Sequence, residues 1–166
     1  MHIEDVKDCC VYRYIDVSDW KIKYVGITVN GTLVNRHKGH IKEEWYKNGR
    51  FICEYIQVDN QSEAEAIESH LIALYDTGKY FNKAKTGWGI NKYLPNEYNW
   101  KVLNLHKSMN EIANILSIRA EWCLTKTNWD KNSISKFLSD LSLEITRSQE
   151  EQKNIQTWKT RVQPTS

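Results

Sequence analysis

The chain has 166 residues, 40% of them hydrophobic, with 23 Lys and Arg against 21 Asp and Glu, a net charge of +2. That length suits one domain with an appendage, and so small a net charge argues against a surface that coats nucleic acid throughout, so any phosphate-binding site must be local. No apolar run approaches a membrane span, the start MHIEDVKDCC has no signal-peptide core, and the four cysteines, Cys9, Cys10, Cys53 and Cys123, form no CxxC pair, which argues against a zinc site or disulfide framework and makes a reducing, cytoplasmic setting the simplest expectation.

Cys9 to Val17 is rich in Val, Tyr and Ile and reads as a strand. Residues 17–21 make a hairpin turn, and Ile22 to Thr28 returns as a second strand. Thr32 caps a helix expected from Leu33 to Lys47, which Asn48-Gly49 stops. Phe51 to Val58 is a third strand. Ser62 to Glu65 forms a capping box that opens a helix to Tyr75. The order β-β-α-β-α predicts an α+β fold, with a small three-stranded antiparallel sheet flanked by helices.

The stretch from Thr77 to Asn99 is a long loop dense in Gly, Asn and Lys. A loop of that length in a compact domain is usually functional or mobile. From Trp100 onward the pattern turns helical, with a capping box at Ser108 to Glu111 followed by Ile112, Ile115 and Leu116. A further helix carries Ile134, Leu138, Leu141 and Ile145 at four-three-four spacing, and the polar remainder after it is expected to fray at its end. The expected division is a mixed module over residues 1–99 and a helical extension over 100–166.

Two helical faces carry chemistry. On the Ser62 helix, Glu68 falls inside the apolar arc of Ala64, Ile67, Leu71, Leu74 and Tyr75. A carboxylate turned toward a core needs a partner, and a salt bridge, a metal or an acid–base role would each supply one. On the Leu33 helix, Arg36, His40, Glu43 and Lys47 form a stripe. Arg36 and His40 are one turn apart. They suit a grip on phosphate as well as a solvated polar face. His37 and His40 are spaced for a metal, but no third ligand follows at helical spacing.

Taken in order, these segments resemble the GIY-YIG nuclease family. The first motif stands as Cys10-Val11-Tyr12, with Cys10 in place of the motif's glycine. The second is Tyr24-Val25-Gly26. Leu33, Arg36 and His40 match the family's L-x-x-R-x-x-x-H helix, Glu68 with Leu71 and Ile72 matches its E-x-x-L-I helix, and Asn82 stands at its late asparagine. The resemblance covers residues 9 to 90. It implies a DNA endonuclease that hydrolyses phosphodiester bonds to 5′-phosphate and 3′-hydroxyl ends. It implies one Mg²⁺ (or Mn²⁺) held by Glu68, which is sufficient because magnesium fills its shell with water and substrate oxygens. Arg36 would bind the scissile phosphate. Tyr24 is the expected general base, Tyr12 would position the water or phosphate, and His40 would pass the proton on. Gly26 and Asn82 would support the site.

Lys79, Lys83, Lys85 and Lys92 share the long loop with Tyr80, Trp88 and Tyr93. Basic residues interleaved with aromatics suit backbone contacts plus base stacking on DNA, and suit equally a solvated loop whose rings pack on the core. The apolar stripe of the extension suits a partner helix, from this chain or from a second copy in a homodimer. Two other function classes fit the same residues less fully. One is a non-catalytic module that binds DNA structures. The other is a phage or plasmid accessory protein that works through the helical tail.

Overall fold

The computed structural model describes residues 9–83, 88–105, 110–114, 117 and 131–162. Strands β1 (Cys10–Asp16) and β2 (Ile22–Thr28) form a hairpin. The turn closes through Trp20, which takes positive φ, with the Trp20 N–H donating to the Asp16 carbonyl at 2.7 Å. Helix α1 (Leu33–His40) follows, then a single turn α2 (Glu44–Lys47), strand β3 (Phe51–Gln57) and helix α3 (Gln61–Tyr75). A 3₁₀ turn spans Thr77–Lys79. Strand β4 (Lys101–Val102) comes after the long loop.

The class is α+β, as expected, but the sheet has four antiparallel strands in the order β2-β1-β3-β4. The added strand lies where the sequence turns helical in pattern: Val102 pairs with Glu54 and Lys101 with Tyr55. Two residues are too few to show a period, and β4 exists because β3 offers it an open edge.

Strand β1 is one of the two inner strands and is buried on both faces. Alternation sends Val11 and Arg13 to one side and Tyr12 and Tyr14 to the other. On the first side Val11, Val25 and Ile56 pack against Ala64, Ile67, Leu71 and Ile72 of α3. Each such aliphatic side chain contributes about 1.5–3 kcal/mol when fully buried. Arg13 is tolerated beside this core because its charge is paired. Its Nε donates to Oε2 of Glu54 at 2.8 Å and an Nη donates to the Tyr75 hydroxyl at 2.9 Å. Its guanidinium also lies 4.1 Å from the ring centroid of Trp100. That set ties β1, β3, the end of α3 and the approach to β4 together.

Two local expectations need correction. The Leu33 helix does not run to Lys47. It ends at His40, and Glu43 is extended (φ −76°, ψ 146°) before α2 begins. Gly39, costly by about 1 kcal/mol in a helix interior, sits at the break. The α3 cap is Asn60, not Ser62. The Asn60 side chain accepts from the Glu63 N–H at 2.9 Å, and the Glu63 carboxylate accepts from the Asp59 N–H at 2.9 Å. Asparagine and serine cap about equally well, so it is this reciprocal pair of bonds that settles the cap two residues earlier.

In the tail, Lys131–Val162 is one helix of 32 residues, which carries the polar stretch after Ile145 as far as Val162; the end of the chain, where fraying is expected, lies outside the described residues. The fold divides into two compact units, one reaching to Leu103 and including the chain end from Thr160, the other Asn104–Lys159. Within the second, the Leu105 N–H donates to Oε1 of Glu151 at 2.9 Å, and Ile112 and Ile155 are buried. Of the apolar stripe, Leu138 is exposed and Leu141 and Ile145 are half-buried. Ser108, Met109, Ile115, Leu116 and the Ile134 side chain lie outside the described residues. Among the described residues no helix is long and apolar enough to cross a membrane. Cys9, Cys10 and Cys53 are free thiols, and Cys123 lies outside the described residues.

Candidate functional site

The second face of the sheet is built of rings. Tyr14 and Tyr24 stand opposite one another in the β1–β2 register, and Tyr12 stands opposite Gly26. Side chains that face each other in a register share a side of the sheet, so the three phenols converge. The rings of Tyr12 and Tyr24 stack with centroids 6.0 Å apart. The cluster continues into α1 and α2: the Tyr24 ring lies 4.9 Å from His40 and 5.6 Å from Trp45.

Helix α1 lays its polar stripe on these phenols. Thr32 caps it as expected, accepting from the Asn35 N–H at 3.2 Å. One turn on, Arg36 Nε donates to the Tyr12 hydroxyl at 3.2 Å. The same hydroxyl shares a 2.8 Å hydrogen bond with Nε2 of His40. Tyr24 also lies close enough to Tyr12 and Arg36 for its charge to be felt by both. The structure thus brings together Tyr12, Tyr24, Arg36 and His40, residues drawn from three separate segments.

Their exposures differ in a useful way. Tyr12 is 0% exposed, whereas Tyr24 is half-buried and Arg36 is exposed. Burial pushes the Tyr12 hydroxyl far above the usual phenol range, and the neighbouring Tyr24 adds to that. Tyr12 therefore works from behind Tyr24 and Arg36, which are the groups that reach solvent. Direct positioning of a water or phosphate, the role expected of Tyr12, suits the exposed pair better.

Two of the supporting residues have visible tasks. A side chain on Gly26 would collide with the phenols, since its Cβ would stand 2.6 Å from the Tyr12 hydroxyl oxygen. Asn82 clamps the outer edge of β2. Its Oδ1 accepts from the Val25 N–H at 2.9 Å and its Nδ2 donates to the Val25 carbonyl at 2.7 Å. Those are the edge groups that the β1 ladder leaves open, so a side-chain amide stands in for the next strand. The clamp fixes Tyr24 and Gly26 on either side of Val25.

Glu68 is buried on α3, as its place in the apolar arc requires. Helix α3 lies mainly along β2, and its apolar residues cover the side of the sheet away from the phenols. Glu68 therefore belongs to a helix on the other side of the sheet from the phenol cluster. A single hard carboxylate oxygen donor suits Mg²⁺ or Mn²⁺ with water completing the shell. Among the described residues no group of three or more His, Cys, Asp or Glu is gathered to hold a metal.

The loop residues divide. Lys79 is paired with Asp76 at 2.8 Å, which reduces its free charge. Lys83 and Trp88 are exposed, Trp88 at 99%. Lys92 lies 5.0 Å from the Tyr93 ring centroid. Lys85 lies outside the described residues. The loop backbone is pinned to α3 on either side of its turn: the Trp88 N–H donates to Ser69 Oγ at 2.7 Å, and the Asn91 N–H to Nδ1 of His70 at 2.9 Å.

Sequence reasoning gave Tyr14 no role and left Glu43 as one member of a polar stripe. Tyr14 shares a 2.6 Å hydrogen bond with Nδ1 of His37, a second phenol–imidazole pair parallel to the first. Its signal was available, because Tyr14 is two residues from Tyr12 on a strand. Glu43 accepts from Nδ1 of His40 at 2.8 Å and from the Trp45 indole N–H at 2.5 Å. That bond follows from the helix break at His40, which no periodicity announces.

No protein-family model matches this chain, and neither a curated protein nor a solved structure matches it.

Proposed function

We propose that this chain is a metal-dependent DNA endonuclease of the GIY-YIG type. The observation that carries the reading is the Tyr12 hydroxyl, buried and bonded at once to the Arg36 guanidinium and to His40, with Tyr24 stacked beside it at the solvent side. Polar groups from β1, β2 and α1 are held together away from water, and such clusters are common at catalytic sites.

Phosphodiester hydrolysis needs a deprotonated water, neutral surroundings for the gathering phosphate charge, and relief for the leaving 3′ oxygen. Arg36 is exposed and presents its remaining guanidinium N–H groups to solvent, where a phosphate can be bound in fork geometry. Tyr24 is the phenol that reaches the water. Glu68 would hold the divalent ion, which supplies Lewis-acid stabilisation of the phosphoryl oxygens when bound. The exposed Trp88 and the cations Lys83 and Lys92 give DNA a stacking surface and backbone contacts, while Lys79 and Lys85 extend the same loop.

One observation favours a second reading, a module that binds DNA structures without turnover. Burial holds the Tyr12 hydroxyl far above the phenol range, so a phenolate there is costly. A nicking assay with Mg²⁺ on duplex, single-stranded and branched DNA separates the two, with Glu68→Ala as the control. Cleavage by the wild type and none by the variant supports the nuclease; binding by both with cleavage by neither supports the module. The long helix Lys131–Val162, with Leu138 and Leu143 exposed, offers a surface for a homodimer, and light scattering tests that.

A further inference from the structure

Glu43 has no place in the reaction described above, yet it touches two members of the cluster. It follows the end of α1, and the backbone turns extended at this residue, with φ −76° and ψ 146°. That turn brings its carboxylate back under His40. Oε1 lies 2.8 Å from Nδ1 of His40, and Oε2 accepts from the Trp45 indole N–H at 2.5 Å. The His40 side chain is buried, whereas the Glu43 side chain is 49% exposed.

These contacts fix a tautomer. An ionised carboxylate can only accept, so Nδ1 of His40 carries the proton. In the neutral imidazole, Nε2 is then the acceptor. It receives the Tyr12 O–H at 2.8 Å. The Tyr12 oxygen in turn accepts from Arg36 Nε at 3.2 Å. The result is a directed chain of hydrogen bonds that starts behind Tyr24 and ends on a carboxylate at the surface.

We propose that Glu43 is a positioning residue of a proton outlet that runs from Tyr24 through Tyr12 and His40. The proposal rests on the nuclease reading. In the step it serves, water gives a proton to the Tyr24 oxygen and becomes the attacking hydroxide. The Tyr24 hydroxyl proton passes to Tyr12, and the Tyr12 proton passes to Nε2 of His40. One proton has then left the water, and one imidazolium faces the Glu43 carboxylate. No phenolate has to persist in the buried site. The arrangement follows the physical logic of a carboxylate that orients a catalytic imidazole and stabilises its charged form.

The titratable and charged groups facing His40 are Tyr12, Tyr14 and Tyr24 from the sheet, Arg36 and His37 from α1, and Glu43. Burial and Arg36 disfavour imidazolium, and Glu43 is the group that favours it. Removing that one charge should therefore weaken His40 as a proton acceptor without emptying the site.

The test uses the full chain with ¹⁵N-labelled histidine, as wild type and as Glu43→Gln, an isosteric change at a half-exposed position. Two-bond ¹H–¹⁵N spectra across pH report which ring nitrogen of His40 holds the proton and where it titrates. Wild-type His40 is expected to be protonated on Nδ1. In Glu43→Gln its titration midpoint should fall by about one unit, about tenfold less imidazolium at a given pH. In the nicking assay kcat should fall about tenfold, KM should hold, and Glu43→Asp should recover the larger part. Wild-type protonation on Nε2, or an unchanged His40 titration in Glu43→Gln, overturns the proposal. A wild type that cuts none of the DNA substrates overturns the nuclease reading instead, and the spectra still decide the hydrogen-bond chain.

Discussion

The hydroxyl of Tyr12 occupies the space that a side chain at Gly26 would need. The two residues face each other across β1 and β2, and a Cβ on Gly26 would lie 2.6 Å from that oxygen and 2.8 Å from Cε1 of Tyr24. The glycine is required by its neighbours, since the phenols close over it. Gly26→Ala should force the rings apart, cost about 1–3 kcal/mol of stability as overpacking, and abolish nicking. Thermal melting and the Mg²⁺ assay check both effects. A variant that melts and cuts like the wild type would show that the rings have room to move.

Asn82 should behave as part of the sheet. Asn82→Ala leaves the Val25 N–H and carbonyl without their partner on the β2 edge, at about 1–3 kcal/mol for a buried group left unsatisfied. Asn82→Asp keeps the acceptor but sets a second carboxylate oxygen against the Val25 carbonyl at a buried position, so it should be at least as costly. Urea denaturation measures the loss, and faster amide exchange at Val25 localises it.

Acid should loosen the ring cluster through His37. Burial, with His40 nearby, lowers its pKa from 6.5 to about 4. The unfolded chain takes up that proton near pH 6.5, while the folded chain takes it up only near 4. Stability is therefore full above pH 6.5, falls as pH drops toward 4, and levels below it, by about 3 kcal/mol at most. His37→Gln should flatten that slope in a pH series of denaturation curves. An unchanged slope would place the acid sensitivity elsewhere.

Arg36 and Glu68 should matter for turnover far more than for folding. Arg36 is exposed and donates to Tyr12 through Nε. Lysine has no matching fork, so Arg36→Lys should lower kcat by about 10²-fold, the scale of one lost charge-stabilising donor. Glu68→Ala should remove Mg²⁺ dependence together with activity. Circular dichroism and melting should show both variants folded.

Trp88 should contribute to DNA binding alone. Its indole is 99% exposed while its backbone N–H is anchored to Ser69. Trp88→Ala should leave the melting temperature unchanged and weaken DNA binding by about 1–3 kcal/mol per stacked base. Lys92→Ala should instead lower the slope of affinity against salt by about one. Binding isotherms at several salt concentrations separate the two.

Local chemistry made much of this molecule legible in advance. The β1–β2 hairpin follows from two apolar-aromatic runs around a polar turn, and Thr32 follows from a hydroxyl placed before Leu33. The burial of Glu68 follows from its angle on α3. Alternation along two paired strands was enough to put Tyr12, Tyr14 and Tyr24 on one side, since the period of a strand is fixed by its backbone. Other features needed the folded chain. Strand β4 is too short to carry a pattern, and forms because β3 presents unpaired groups to Lys101 and Val102. Asn60 displaced Ser62 as the cap through competing local bonds of similar strength. The Glu43–His40 bond arises because α1 breaks where Glu43 can reach back to two partners, Nδ1 of His40 and the Trp45 indole. Periodicity and caps act within a turn or a strand, and the sequence records them directly. Bonds between distant segments depend on where the backbone has already been carried, and only the tertiary structure decides them.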